Sequence, residues 1–422
     1  GLAIQAYSKR CFALIDHLAE FAQEHKRKLQ VRLVKGAYWD TEIKRAQVQG
    51  LSDYPVFTRK ANSDLSYIAC ARKMLEQRDV FYPMFATHNA HSVAAIMELA
   101  GNNRNGFEFQ RLHGMGETLH DLVLGDGIAP ISVYAPCGSH EDLLPYLVRR
   151  LLENGANSSF VNKLLDAKTP LNDIVADPVA DARAHREKRH AKIPLPKDIY
   201  GAGRVNSAGL DITEETMVSP LLSEIQKAGG RKLEAAPLFG GKKYKEGAGR
   251  SVTSPTDNAK TIGHVWEVNE ALIDKAFAVA KSGFRAWDAT PAEERAAALE
   301  RFGDLMEKHR AELMALIAME GGRTVEDGLS EVREAVDFCR YYAQRGREEF
   351  SNVGMRLPGP TGERNILTQY GRGVFVCISP WNFPLAIFTG QLAAALVAGN
   401  SVIAKPAEQT NLVAVRMTQL LH

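Results

Sequence analysis

Cysteine is scarce. The 422 residues hold five, Cys11, Cys70, Cys137, Cys339 and Cys377, with no CxxC spacing. A sparse, odd set in a long chain excludes a disulfide framework and reads as reduced intracellular thiols. An excess of charge of one sign is missing too. Lys+Arg number 52 and Asp+Glu 50, a net charge of +2, which gives no whole-chain case for binding DNA or RNA. Long hydrophobic runs are absent. The longest apolar stretch, 384–399, is interrupted by Thr389, Gly390 and Gln391, too short and broken for a membrane span. The chain opens Gly1-Leu2-Ala3-Ile4, with no initiator Met, basic n-region or apolar h-region, so no signal peptide is visible. The pattern over 411–422 reads as a helix cut while still running, so the sequence is expected to be a piece of a longer chain.

What is present is ordinary globular material, 45% hydrophobic and 24% charged, enough for roughly two to three domains. Residues 1–170 alternate short β-rich runs (2–7, 31–38, 80–87, 107–112, 131–135) with amphipathic stretches. Over 9–28, Phe12, Ile15, Leu18 and Ala22 fall at helical spacing, and 65–77 and 143–153 behave alike. This order predicts a parallel sheet with crossover helices, and the apolar strands predict cover on both faces. Polar residues gather just past the strand ends: Lys35 to Asp40, Thr87-His88-Asn89 and His113-Gly114. That is where a (β/α) barrel keeps its chemistry, although about five strand–helix units are visible against the eight of a closed barrel. The doubly wound alternative lacks any GxGxxG turn after a strand. Residues 171–237 read as a connecting region, and the basic run over 184–192 as a solvated linker. Residues 238–422 organise again. Thr290-Pro291-Ala292-Glu293 predicts a capping box, Gly321-Gly322 a helix stop, and Ser330 an N-cap. The strand–helix–strand over 373–405 predicts one βαβ unit.

In the string VRLVKGAYWD (31–40), alternation places Arg32 and Val34 on one strand face, Leu33 and Lys35 on the other. An arginine inside a sheet fold is costly unless an anion meets it. Arg149 and Arg150, adjacent on the helix after the last strand, offer two guanidinium forks suited to a carboxylate; a solvated basic helix face is the alternative. His88 and His91 lack a third ligand at set spacing, so no metal site is expected. These strings, with YPVFTRK (54–60), FATHNAH (85–91), FQRLHGMGE (109–117) and YLVRRLLENGANSSFVN (146–162), resemble the proline dehydrogenase domain of the proline utilisation A family of bifunctional flavoenzymes. The resemblance implies a distorted barrel that binds FAD and oxidises proline to pyrroline-5-carboxylate. It implies Arg32 near flavin N5 and Gln5 at the pyrimidine edge, Gly36 and Ala37 approaching the cofactor with backbone, and Trp39, Thr58, Thr87, His88 and Glu153 along its length. Arg149 and Arg150 would hold the proline carboxylate, with Tyr38 and Tyr134 packing on the ring.

The strings ISPWNFP (378–384) and AGNSVIAKPAEQT (398–410) resemble the start of an aldehyde dehydrogenase, the half that in the same family oxidises glutamate semialdehyde with NAD. The resemblance implies that the Asn382 amide donates to an oxyanion, that Lys405 and Glu408 meet the adenosine ribose, and that the backbone of Ile378, Ser379, Pro380 and Trp381 lines the NAD groove. The family's nucleophilic cysteine and general-base glutamate would lie beyond His422. Cys339 and Cys377 read as core thiols, so no aldehyde dehydrogenase activity is expected from this chain alone.

The fold expected is α/β: the C-terminal portion of a (β/α)8 TIM-like barrel over 1–170, a connecting region over 171–237, and the N-terminal part of an aldehyde dehydrogenase (Rossmann-like) domain over 238–422. The function expected is proline catabolism to glutamate, with L-proline as substrate and FAD and NAD as cofactors. For the intact parent the family adds electron transfer to a membrane quinone, homo-oligomerisation, and a cytoplasmic location with peripheral attachment to the inner membrane. Two rivals stand beside this reading. One is a monofunctional aldehyde dehydrogenase with an unrelated N-terminal domain, against which the Arg32 and Arg149-Arg150 strings argue. The other is a non-catalytic regulatory, DNA-binding family member, for which this segment shows no ribbon–helix–helix pattern.

Overall fold

The computed structural model describes residues 1–125, 127–155, 170, 176–231, 233–351 and 353–422, without the side chains of 151–155. The chain divides into two compact units: Gly1–Ala46 with Asp53–Pro194, and Gln47–Ser52 with Leu195–His422.

The first unit is built on five parallel strands, β1 (Leu2–Gln5), β2 (Leu29–Val34), β3 (Phe81–Ala86), β4 (Glu108–Leu112) and β5 (Ile131–Tyr134), lying in the order of the chain. The order never reverses, so the sheet has no topological switch point, the crevice on which a doubly wound fold relies. Helices α1 (Cys11–Glu24), α2 (Trp39–Val48), α3 (Lys60–Glu76), α4 (Ala90–Ala100), α5 (Glu117–Gly125), α6 (His140–Gly155) and α7 (Pro178–Ala184) follow in turn. The sheet is two-faced. Ile4, Val31, Leu33, Phe81, Phe85 and Phe109 pack with Ile15, Tyr67, Met74, Val93 and Ile96 of the helices into one buried cluster, each large side chain contributing about 1.5–3 kcal/mol by leaving water. The alternate residues, Gln5, Arg32, Tyr82, Glu108, Gln110 and Tyr134, make a polar face. The expectation that both faces are apolar and covered therefore fails for these strands. Phe12 also departs from its expected place: it is exposed, and α1 buries Cys11, Ile15, Ala19 and Ala22 instead. The basic run is not a free linker. Arg59 Nε donates to the carbonyls of Glu187 (3.1 Å) and Arg189 (3.2 Å), and Lys188 Nζ donates to those of Ala182 and His185.

The second unit continues through α8 (Glu215–Ala228), β6 (Leu233–Ala235), β7 (Leu238–Phe239), β8 (Lys242–Lys243), β9 (Arg250–Ser254), β10 (Asp257–Val265), α9 (Glu270–Ala289), α10 (Ala292–Lys308), α11 (Arg310–Gly321), α12 (Val325–Glu349), β11 (Met355–Leu357), β12 (Asn365–Leu367), β13 (Val374–Ile378), α13 (Ala386–Val397), β14 (Ser401–Lys405) and α14 (Asn411–Leu421). Leu221 of α8 and Ala235 of β6 belong to its core, so the later part of 171–237 is structural rather than a bare connector. The βαβ unit is present, β13 and β14 pairing parallel from Val374↔Ser401 to Ile378↔Lys405. Gly322 stops α11 in the left-handed conformation, φ 66°. Two expected caps move. Thr290 Oγ1 donates back to Ala286 O of α9 instead of capping α10, and α12 starts at Thr324, whose hydroxyl accepts from Asp327 N, not at Ser330.

Two buried glutamates cap other helices from a distance. Glu320 accepts from Leu412 N (2.8 Å) and Val413 N (2.9 Å) at the start of α14; Glu331 accepts from Leu385 N (2.6 Å) and Ala386 N (3.3 Å) at the start of α13. Helix N-termini favour such charge, yet burial wins at both sites. Glu320 is pushed up to about 7 and Glu331 is raised, against the backbone donors that lower them. A carboxyl raised in the folded state from its ordinary 4.5 gives stability that is full below 4.5 and lost as the pH rises through 7. Unfolding free energy is therefore expected to fall by about 3 kcal/mol between pH 4.5 and 7 on account of Glu320. Glu320→Gln should flatten that part of the profile in a denaturant-unfolding series; an unchanged slope would contradict it.

Candidate functional site

The candidate flavin site occupies the polar face of the first sheet and the loops past the strand ends. At its centre Arg32 Nε donates to Gln110 Oε1 at 2.6 Å, and the Arg32 guanidinium lies 4.5 Å from the centre of the Tyr134 ring. Arg149, on α6, stacks over Tyr38 at 3.8 Å; Arg150 stacks over Tyr146 at 4.9 Å and acts electrostatically on Tyr134 and His88. Burial raises the Tyr134 phenol, helped by Tyr146, with Arg150 and Arg32 opposing. The structure thus brings Arg32 to Tyr134 and Arg149 to Tyr38, a concentration of positive charge over aromatic rings.

The loop after β2 is shaped by Gly36. Its φ is +133°, and a Cβ there would sit 1.3 Å from Tyr7 Cδ1, so no other residue fits. Ala37 N donates to Gln5 Oε1 at 3.4 Å. The Tyr7 phenol is buried and pushed up to about 12, chiefly by burial and then by Glu42 and Tyr38. Behind the loop Lys35 pairs with Asp64 at 2.5 Å and Asp64 with Lys60 at 2.6 Å. Burial lowers Lys35 against the pull of Asp64, and the two lysines hold Asp64 down despite its burial. Lys35 is thereby anchored away from the polar face.

The other expected contacts are partly engaged already. Trp39 Nε1 donates to Phe57 O (2.8 Å), leaving its ring face as the available surface. Thr58 Oγ1 accepts from His190 N (2.9 Å), and Thr87 Oγ1 accepts from Asn89 N (3.1 Å). His88 Nε2 accepts from Leu112 N at 3.2 Å. That bond fixes the tautomer with hydrogen on Nδ1, and burial, with His120, Arg150 and Arg111 adding to it, pushes His88 down to about 4, so it is a neutral donor at neutral pH. Glu153 lies on α6, with its side chain outside the described residues. Sequence reasoning passed over Gln110, Glu108 and Tyr7; only the period-two pattern of β4 could have marked the first two.

In the second unit Asn382 and Trp381 are exposed. The loop is held by its backbone: Arg323 Nη1 donates to Asn382 O (3.0 Å) and its guanidinium lies 4.7 Å from the Phe383 ring. Ser379 N donates to Lys405 O (3.2 Å), and Lys405 Nζ is 3.8 Å from Glu408, both side chains largely exposed. Ile378 is 65% exposed and Pro380 exposed. Cys377 and Cys339 are buried, and burial raises both thiols, as inert core cysteines should be. Among the described residues no group of three or more His, Cys, Asp or Glu could hold a metal ion, and no helix is long and apolar enough to cross a membrane.

Two family profiles match the chain: proline dehydrogenase over residues 1–163, and the aldehyde dehydrogenase family over 244–422. The whole chain is 49% identical to the bifunctional protein PutA of Klebsiella aerogenes and 48% identical to that of Escherichia coli K12, covering 32% of each. It also matches a crystal structure of a mutant of Bradyrhizobium japonicum Proline Utilization A over its full length, with 50% identity, a TM-score of 0.84 and 40% of that chain covered. The chain therefore spans about a third of the length of these curated relatives.

The fit of Gly36 against Tyr7 is directly testable. Gly36→Ala should destabilise the first unit by about 1–3 kcal/mol from backbone strain and roughly 1–3 kcal/mol more from overpacking. Thermal unfolding of the variant measures this; an unchanged melting temperature would contradict it.

Proposed function

We propose that this chain, a part of a proline utilisation A family member, carries the substrate- and flavin-holding portion of an FAD-dependent proline dehydrogenase and the opening portion of an NAD-dependent glutamate semialdehyde dehydrogenase. The observation that carries the reading is the seating of two guanidinium groups on aromatic rings, Arg32 on Tyr134 and Arg149 on Tyr38. Five parallel strands in unbroken order support a sector of a (β/α) barrel. The partition we propose is 1–170 for the barrel portion and 238–422 for the aldehyde dehydrogenase portion, with 171–237 connecting them and lending Leu221 and Ala235 to the second core.

The residues present suit FAD, a planar and anionic group. Arg32 supplies a cation on the polar face, Gly36 presents bare backbone, Trp39 offers a ring face, and neutral His88 offers the Nδ1 hydrogen. Gln5, Ala37, Thr58, Thr87 and Glu153 complete the set. FAD bound there would supply a hydride acceptor for the carbon beside the proline nitrogen. The chain's own part is placement. Arg149 and Arg150 hold the substrate carboxylate through charge-assisted forks, and Tyr38 and Tyr134 pack on the ring. A clamped substrate needs little acid–base help from the protein. In the second half Asn382 supplies an oxyanion donor, Lys405 and Glu408 meet the ribose of NAD, and the backbone of Ile378, Ser379, Pro380 and Trp381 lines its groove. For the whole protein the reading extends to quinone as electron acceptor, a homo-oligomer, and a cytoplasmic location with peripheral membrane attachment.

The test is kinetic, on the full-length protein. Arg149→Met should raise KM for proline roughly 10- to 100-fold, the loss of charged hydrogen bonds worth about 1.5–3 kcal/mol, while the bound flavin absorbs as before. An unchanged KM would overturn the assignment of the carboxylate clamp.

A further inference from the structure

Arg32 is held by a residue that is itself held. Gln110 Oε1 accepts from Arg32 Nε at 2.6 Å, and Gln110 Nε2 donates to Glu108 Oε1 at 2.6 Å. The other Glu108 oxygen accepts from Tyr82 OH at 3.4 Å, and Met84 Sδ lies 3.2 Å from Gln110 Nε2. The three polar residues come from β2 and β4, with β3 between them. Gln110 is only 6% exposed. Its amide cannot be turned over. Arg32 only donates, so the amide oxygen must face it; a carboxylate only accepts, so the NH2 must face Glu108. A flipped amide would leave two repulsive contacts in a buried site, where unmade hydrogen bonds cost most.

The chain carboxylate–amide–guanidinium has two separable effects. Geometrically, Gln110 fixes the guanidinium at Nε, leaving both terminal nitrogens for a ligand. Electrostatically, Glu108 polarises the amide toward Arg32 and sets a negative charge behind it, which tempers the cation's field on the polar face. We propose that Gln110 is the positioning residue for Arg32, and that Glu108, through Gln110, sets how strongly a bound flavin feels the Arg32 charge. This rests on the reading of the polar face as a flavin site.

The two effects predict shifts of opposite sign, which a purely structural role would not give. The measurement is the midpoint potential of the flavin bound to the full-length protein, with Arg32→Met as reference. Glu108→Gln keeps an acceptor for the Gln110 amide and removes the charge; the Arg32 field strengthens, the more negative reduced flavin is favoured, and the potential should rise. Gln110→Leu keeps the bulk and releases Arg32; the potential should fall toward that of Arg32→Met, and kcat/KM should drop roughly 10- to 100-fold, as expected for a misplaced active-site group. Flavin-loaded variants with unshifted potentials, or with shifts of the same sign, would overturn the proposal alone. A wild-type protein without flavin, or an Arg32→Met potential equal to the wild type's, would overturn the flavin reading and the proposal with it.

Discussion

The two-residue period of strand β2 is the constraint on which the first unit depends. Leu33 is fully buried among Phe85, Phe109 and the helices, and a slip of one residue would carry Arg32 into that core at a heavy desolvation cost. Burying Leu33 therefore commits Arg32 to the opposite face, where β4 supplies Gln110 and Glu108 and β5 supplies Tyr134. The loop that follows inherits the same phase. Lys35 turns to Asp64 and Lys60, Gly36 yields to the Tyr7 ring, and Tyr38 emerges where Arg149 can lie on it. One register decision thus sets the charge, the aromatic platform and the course of the loop at Gly36.

The second unit solves a different problem, that of starting two apolar helices inside a core. α13 and α14 follow the loops at Asn382 and Glu408, and neither carries an acidic residue in its first turn. Glu331 and Glu320 provide the missing negative ends from α12 and α11. The cost appears as raised carboxyl groups, the gain as helix starts that cannot fray into the loops they support. Arg323 adds a third hold, on the Asn382 carbonyl. An exposed loop residue is in this way tied to rigid elements through its backbone.

Much of this was legible in the sequence. All five strands of the first sheet and the βαβ unit of the second lie where their β-rich and apolar runs predict, because long-range packing there agrees with local pattern. The arginines that the family strings singled out, Arg32, Arg149 and Arg150, each lie on an aromatic ring. Three kinds of feature stayed hidden. The polar alternation of Glu108 and Gln110 is masked by the neighbouring Phe107 and Phe109. The distant caps join residues more than 50 positions apart, beyond any local signal. Thr290 and Ser330 satisfy the N-cap composition rule, yet backbone geometry gave the first to the preceding helix and placed the second inside α12, after the Thr324 cap.

The central claim is that the polar face around Arg32 holds a flavin which oxidises proline clamped by Arg149 and Arg150. Anaerobic addition of proline to the full-length protein, followed by its visible absorbance, tests this most directly. Bleaching of the flavin band by proline without added NAD, abolished when both arginines are replaced, is the expected result. A protein that carries no flavin, or a flavin band that proline leaves unchanged, would contradict it.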